Sequence, residues 1–270
     1  MIVVKTGGNH GLDMEAICDD IAKLVQQGER VIVVHGGSHE ADVISEKLGH
    51  SPRFVTSVSG FVSRYTDRET LEILVMVVAG RINKSLVERL QSLGVNALGL
   101  SGQDGRLIEA RRKSALKIVE NGKRRVLRGD HSGRIERVNG GLLRTLLSAG
   151  YTPVIAPLAI ASDGTALNVD GDRVAGAIAS ALEASTLVML TNVPGVMRCF
   201  PDESTVISRI PAEEAEDHLR RYAKGRMKKK LLGAIEALNG GVKRIVIADG
   251  RRSQPLAWAL KGEGTVIEPA

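Results

Sequence analysis

Two short runs decide most of what this chain can become. Ile2-Val-Val4 and Val31-Ile-Val-Val34 are β-branched and apolar at every position, without alternation. A strand with one wet face alternates, whereas an unbroken apolar run suits a strand covered on both faces, as in a parallel sheet between helix layers. The two runs also end alike, the first in Lys5-Thr-Gly7-Gly8 and the second in His35-Gly36-Gly37. Paired glycines turn the backbone sharply and let a ligand approach its N–H groups. The end of a sheet is where an open α/β protein holds its ligand.

Helical patterns alternate with further strands of this kind. Leu12, Ile17, Ile21, Leu24 and Val25 form one stripe closed by Gly28, and Ser38 is expected to cap a helix running to Gly49. Asp67 opens a long helix through Leu71, Leu74, Leu86 and Leu90 to Gly94. Strands are expected at 95–100, 153–157, 186–190 and 244–248, and helices at 139–149, 174–182, after Pro211, after Gly225 and around Trp258. This order predicts an α/β fold, a three-layer αβα sandwich with a mainly parallel sheet. Residues 51–66 read as a loop or hairpin carrying Arg64. From 101 to 138 the pattern shortens to strands at 107–110, 115–119, 124–127 and 134–138, with Asn121-Gly122 as a hairpin turn. A single antiparallel flap beside the main sheet is expected there.

Charge is concentrated in that flap. Between Arg106 and Arg137 eleven Lys and Arg face four acids, a balance of +7 in a chain whose net charge is +6. A solvated hairpin accounts for it, and so does a docking surface for an acidic partner. Aromatics are only 3% of residues, too few to build a stacking platform for nucleic acid. No apolar run reaches membrane-spanning length, and Cys18 and Cys199 lack metal-like spacing. A reduced, cytoplasmic protein without disulfide or bound metal is expected.

The chain carries neither a GxxxxGK[ST] nor a GxGxxG phosphate motif. His35 and His39 are four apart, but the glycines between them exclude the helix that a zinc pair needs. Taken alone, Asp170 and Asp172 suit a metal or the first turn of a helix equally well. Lys228-Lys-Lys230 alone suits a solvated helix face, and Arg64 a surface position.

In order along the chain, Lys5-x-Gly-Gly, His35-Gly-Gly, Arg64 within Gly-x-x-x-Arg-x-Thr-Asp, Asn168-Val-x-x-Asp172 and Gly225-x-Met-x-x-Lys230 form a pattern that resembles the amino acid kinase family, close to the acetylglutamate kinases. The resemblance extends to about Asp249. It implies an acceptor lobe, 1–165 with the flap 101–138, followed by a nucleotide lobe, 166–270, in one continuous kinase fold. It implies ATP with Mg²⁺ as phosphoryl donor, a carboxylate as acceptor, and a homodimer. Lys5 and Lys230 would stabilise the transferring phosphoryl group, and Asp172 would hold both lysines. Gly7, Gly8, Gly36 and Gly37 would offer N–H groups to the phosphates and the acceptor carboxylate. Arg64 and Asn168 would grip the acceptor's other end, and Thr191, Asn192 and Gly195 would border the nucleotide. Phosphoryl transfer needs positioning and positive charge more than covalent chemistry, which agrees with these residue types.

Three departures narrow the resemblance. Ser38 stands where acetylglutamate kinases usually have a third glycine, Asn192 where they have Asp, and Gly225-Arg226 where they have two glycines. With Arg111-Arg-Lys113 and Lys123-Arg-Arg125, these resemble a branch that phosphorylates 2-aminoadipate, or glutamate, borne on a small acidic amino-group carrier protein. The carrier would dock on residues 106–137. Free N-acetylglutamate as acceptor and a non-catalytic basic protein are the competing readings.

Overall fold

The central sheet has eight strands. From edge to edge they are Arg209–Pro211, Thr265–Glu268, Arg244–Asp249, Thr186–Thr191, Ile2–Thr6, Val31–Val34, Thr152–Ala156 and Ala97–Ser101. All neighbours are parallel except Arg244–Asp249 against Thr265–Glu268. The computed structural model describes residues 1–8 and 11–269. The unbroken apolar runs are buried at every position, as a doubly covered sheet requires.

Alternation along the first strand divides the core in two. Val3 joins Leu187, Met189, Val174, Ile178, Leu231 and Ala234 under the helices Gly171–Ala181 and Gly225–Asn239. Ile2 and Val4 join Ile17, Ile21, Leu86, Leu90 and Leu256 under the helices on the other face. Lys5 shares the face of Val3, because side chains two apart point the same way.

Two expectations need correction. Ser38 is the first residue of the helix Ser38–Lys47, whose N-cap is Gly37 without a side-chain bond. Ser38 already lies within the helix and so does not take the extended conformation of a capping residue. The basic segment is also not one flap. Ile108–Arg112 and Gly133–Val138 join Leu158–Ile160 and Ala166–Asn168 in one four-stranded sheet, while Leu116–Glu120 and Lys123–Leu127 join Phe54–Ser57 and Val62–Arg64 in another. Short strands record which face is wet but not which distant strand lies alongside.

The long helix opened by Asp67 is continuous, from Arg68–Leu74 to Asn83–Ser92, but Val75–Ile82 between them is wound as a π-helix. Asp67 does cap it, accepting from the Thr70 N–H at 2.8 Å. Among the described residues no helix is long and apolar enough to cross a membrane.

Candidate active site

Lys5 reaches from its strand to Asp172, in the first turn of Gly171–Ala181, with Nζ 2.7 Å from Oδ1. Lys230 comes from the facing helix Gly225–Asn239, its Nζ 3.1 Å from Oδ1 and 3.3 Å from Oδ2. All three side chains are buried. Small residues make this approach possible. A Cβ on Gly233 would stand 3.3 Å from the Asp172 backbone, and one on Gly176 would stand 3.0 Å from the Gly233 carbonyl oxygen.

The two acids left open by spacing have different duties. Asp170 is the N-cap, accepting from the N–H groups of Asp172 at 3.0 Å and Arg173 at 3.1 Å. Asp172 alone faces the lysines. Burial pushes its carboxyl up, but the Lys230 and Lys5 ammonium groups outweigh this and hold it well below the usual carboxylate range. Burial likewise disfavours the Lys5 ammonium, but the adjacent Asp172 outweighs it and raises the pKa. Lys230 goes the other way, lowered to about 8 by burial first and by the Lys5 charge, with Asp172 offsetting them only in part. With all three ionised the cluster has one net positive charge away from bulk water, where it acts strongly on an incoming anion.

Of the neighbouring lysines, Lys228 points elsewhere, its Nζ 4.7 Å from the centre of the Phe61 ring. Lys229 is only partly buried. Helix geometry separates their directions, since consecutive residues do not share a face.

The two glycine pairs back onto each other. A Cβ on Gly8 would meet Ser38 N at 2.9 Å, and one on Gly37 would meet Ile82 Cδ1 at 2.5 Å. The His39 N–H donates to the Gly8 carbonyl at 3.1 Å. Gly7 differs from the expectation: its N–H donates to the Leu190 carbonyl at 3.0 Å and is already engaged. Among the described residues, the N–H groups of Gly8, Gly36 and Gly37 have no protein acceptor.

On the expected acceptor side, Arg64 is buried, with its guanidinium 5.1 Å from the Phe54 ring centre. It is ion-paired to Asp42 and donates to the Ser38 carbonyl at 3.2 Å. Asn168 donates to Thr66 Oγ1 at 3.0 Å, and the Thr66 N–H donates to the buried Asp130 at 2.9 Å. Arg64 and Asn168 are thereby held at the ends of two different sheets. Sequence reasoning missed Asp42 and Asp130. Asp42 is one of three acids on a largely polar helix and Asp130 follows a turn glycine, and neither carries a motif.

On the expected nucleotide side, Thr191 ends its strand and its carbonyl accepts from the Gly250 N–H at 2.7 Å. Asn192 is partly buried. Gly195 is buried against Thr265, where a Cβ would stand 2.6 Å from Oγ1. Its glycine is thus explained by packing.

The basic segment divides by pairing. Arg106 and Arg137 share Glu109, Arg111 meets Glu136, and Arg125 meets Glu120. Among the described residues Lys117 and Arg124, like several other cations of the segment, form no ion pair with an acid. The pairings Thr56 with Val62 and Val119, Val119 with Arg124, and Lys117 with Val126 put Lys117 and Arg124 on one face of a sheet, whereas Lys123, opposite Glu120, lies on the other. That face exposes Val62, Val119 and Val126 and adjoins Arg64 through Phe54.

The sequence model of the amino acid kinase family matches residues 1–249. The chain is 56% identical over 267 residues to the LysW-aminoadipate kinase of Deinococcus radiodurans, covering 99% of this chain and 91% of that one. It is 52% identical over 268 residues to the LysW-aminoadipate kinase of Thermus thermophilus, covering 99% and 100%. Among solved structures, the N-acetylglutamate synthase of Neisseria gonorrhoeae superposes with a TM-score of 0.80 at 27% identity, over all of this chain and 59% of the synthase. Family model, full-length relatives and fold agree with the buried Lys5–Asp172–Lys230 cluster: the chain belongs to the amino acid kinase family.

Proposed function

We propose that the chain transfers the γ-phosphoryl group of ATP to the side-chain carboxylate of 2-aminoadipate borne on a small acidic carrier protein, yielding an acyl phosphate and ADP. A carboxylate oxygen forms the new bond to phosphorus as the bond to the β-phosphate oxygen breaks. The observation that carries this reading is the convergence of two buried ammonium groups on one carboxylate, beside glycine turns with free N–H groups. Full-length similarity to two LysW-aminoadipate kinases names the acceptor.

In this reading Lys5 and Lys230 are the catalytic residues and attract the charge that spreads over the phosphoryl oxygens. Asp172 keeps both ammonium groups in place and charged. Gly8, Gly36 and Gly37 supply N–H donors, Arg64 and Asn168 position the acceptor, and Thr191 and Asn192 border the nucleotide. Residues 1–165 are read as the acceptor part and 166–270 as the nucleotide part, with Asn168 of the second part bonding back to Thr66 of the first.

The donor set does not fit a resident Mg²⁺ site. Asp172 is taken by two ammonium groups and Asp170 by two helix N–H groups, and among the described residues no three His, Cys, Asp or Glu converge. Magnesium is therefore read as part of the substrate, the Mg–ATP complex, held by its phosphates.

A borne acceptor needs a landing surface, and Lys117 and Arg124 with their exposed valines offer one next to Arg64. The test is hydroxylamine trapping with carrier-linked 2-aminoadipate, carrier-linked glutamate and free N-acetylglutamate. Hydroxamate is expected fastest with the carrier-linked aminoadipate. Preference for the free compound would remove the carrier and leave an acyl kinase. No hydroxamate from any of the three would remove the kinase reading.

A further inference from the structure

The buried polar line behind the second glycine pair has no part in the reading above. His35 follows the strand Val31–Val34 and is 1% exposed. Its Nδ1 lies 2.8 Å from the Gly36 carbonyl oxygen, and its Nε2 lies 3.0 Å from Nδ2 of Asn83, which is itself fully buried. The same Asn83 amide nitrogen lies 2.9 Å from the Val154 carbonyl oxygen. Two neighbours therefore settle the chemistry. An amide nitrogen only donates, and of its three acceptors the Leu100 carbonyl is the farthest at 3.5 Å, so the Asn83 NH₂ gives one hydrogen to Val154 and the other to His35 Nε2. The imidazole is then neutral, with its proton on Nδ1, and donates to Gly36. Burial, its main cause, lowers the His35 pKa to about 4, which agrees with a neutral ring.

Asn83 is the first residue after the π-helical stretch Val75–Ile82. Such windings are rare and cluster at functional sites. Val78 and Ile82 of this stretch press on Gly37, where a Cβ would meet them at 3.1 and 2.5 Å. Gly99 leaves room for Asn83, since a Cβ there would run into Asn83 Oδ1. One helix thus meets the glycine turn twice, through apolar contact at Gly37 and through Asn83 and His35 at Gly36.

We infer that Asn83 is a positioning residue for the Gly36–Gly37 turn, acting through the neutral His35 ring to orient the N–H groups that receive the acceptor carboxylate. The inference rests on the proposed kinase function. It makes one hydrogen-bond direction, from Asn83 to His35 to Gly36, a requirement of acceptor binding but not of ATP binding.

The experiment combines histidine ¹⁵N NMR with steady-state kinetics on the full chain. The unmodified protein should show His35 as the Nδ1–H tautomer. Asn83→Asp keeps the shape but replaces the donor with an acceptor, so the ring proton should move to Nε2 and the Gly36 carbonyl should lose its donor. The KM for carrier-linked aminoadipate should then rise about ten-fold or more, while the KM for ATP changes less than two-fold. Asn83→Ala should act in the same direction. Should the alanine variant not fold, the aspartate variant and the unmodified protein still decide the matter. An Nε2–H tautomer in the unmodified protein would overturn the inference. So would unchanged acceptor constants in a folded Asn83→Asp variant with a shifted tautomer. An unmodified enzyme that forms no acyl phosphate overturns the kinase reading instead, which separates the two failures.

Discussion

Gly36 lies so close behind Gly8 that a Cβ on Gly36 would stand 2.5 Å from the Gly8 Cα. Neither turn can yield alone, because the first is tied to Leu190 and the second rests on Ile82 and Val78. Gly36→Ala should therefore displace both turns together. Overpacking of this kind costs about 1–3 kcal/mol of stability. Turnover should fall further than stability, by roughly a hundred-fold or more, because misplacing reacting groups by about an ångström is that costly. Melting temperature and kcat measured together check it, and a folded Gly36→Ala enzyme with normal kcat would contradict it.

Lys230, not Lys228, should be the lysine on which turnover depends. Lys230→Met removes a buried ammonium group and should lower kcat by roughly a hundred- to a thousand-fold, the effect of losing a preorganised charge-stabilising donor. Lys228→Met removes a contact with the Phe61 ring and should leave kcat within a few-fold. Single-turnover rates on the two variants discriminate them. The reverse ranking would place the reacting phosphoryl group away from Asp172.

Asp172→Asn would leave two buried ammonium groups without their anion. Breaking a buried pair from one side costs about 3–5 kcal/mol, so a lowered denaturation midpoint is expected beside lost activity. The sign of the pH dependence follows. The folded pKa of Asp172 lies below its ordinary value of 3.8, so its contribution is present above that value and is lost as pH falls through the folded pKa. Acid unfolding should begin at higher pH without this group, and an unchanged acid midpoint in Asp172→Asn would argue against it.

Lys230 supplies an alkaline limb. Its pKa is lowered from 10.5 to about 8, and only the ammonium form attracts the phosphoryl oxygens. In the free enzyme kcat/KM should be level below about pH 8 and fall above it, and Lys230→Arg should move that limb beyond the measurable range. Stability goes the opposite way. Between about 8 and 10.5 the unfolded chain binds more protons at this position, so the group adds stability as pH rises through that window. A kcat/KM profile level to pH 10 would exclude Lys230 as the titrating group.

For the carrier, the unpaired cations of the valine-bearing face, Lys117 and Arg124, should matter more than the paired ones. Reversing Lys117 and Arg124 to Glu should raise the carrier KM roughly ten-fold at low ionic strength, with the ATP KM unchanged. The difference should shrink toward about 1 M salt as exposed charges are screened. Reversing Arg106 and Arg137, which share Glu109, should do less. Equal effects from both sets would mean that net charge, not this face, steers the carrier.

The sequence alone determined the kind of sheet and pointed to the candidate site. Apolar runs without alternation are a local record of burial on both faces, so Ile2–Val4 and Val31–Val34 could be read as inner strands without any partner in view. Glycine pairs at their ends, and five motifs in family order, were equally local. Tertiary structure decided what depends on neighbours far along the chain. Asp170 and Asp172 have the same chemistry and differ by two positions, and only the packing of two helices through Gly176 and Gly233 shows which one faces Lys5 and Lys230. The basic segment has one charge pattern but contributes to two sheets, because strand partners are chosen by long-range register. Asn83 carried no motif, and its amide acquires meaning only where the helix after Val75–Ile82 passes behind His35. Hydrogen bonds between residues 48 positions apart leave no periodicity for a sequence to display.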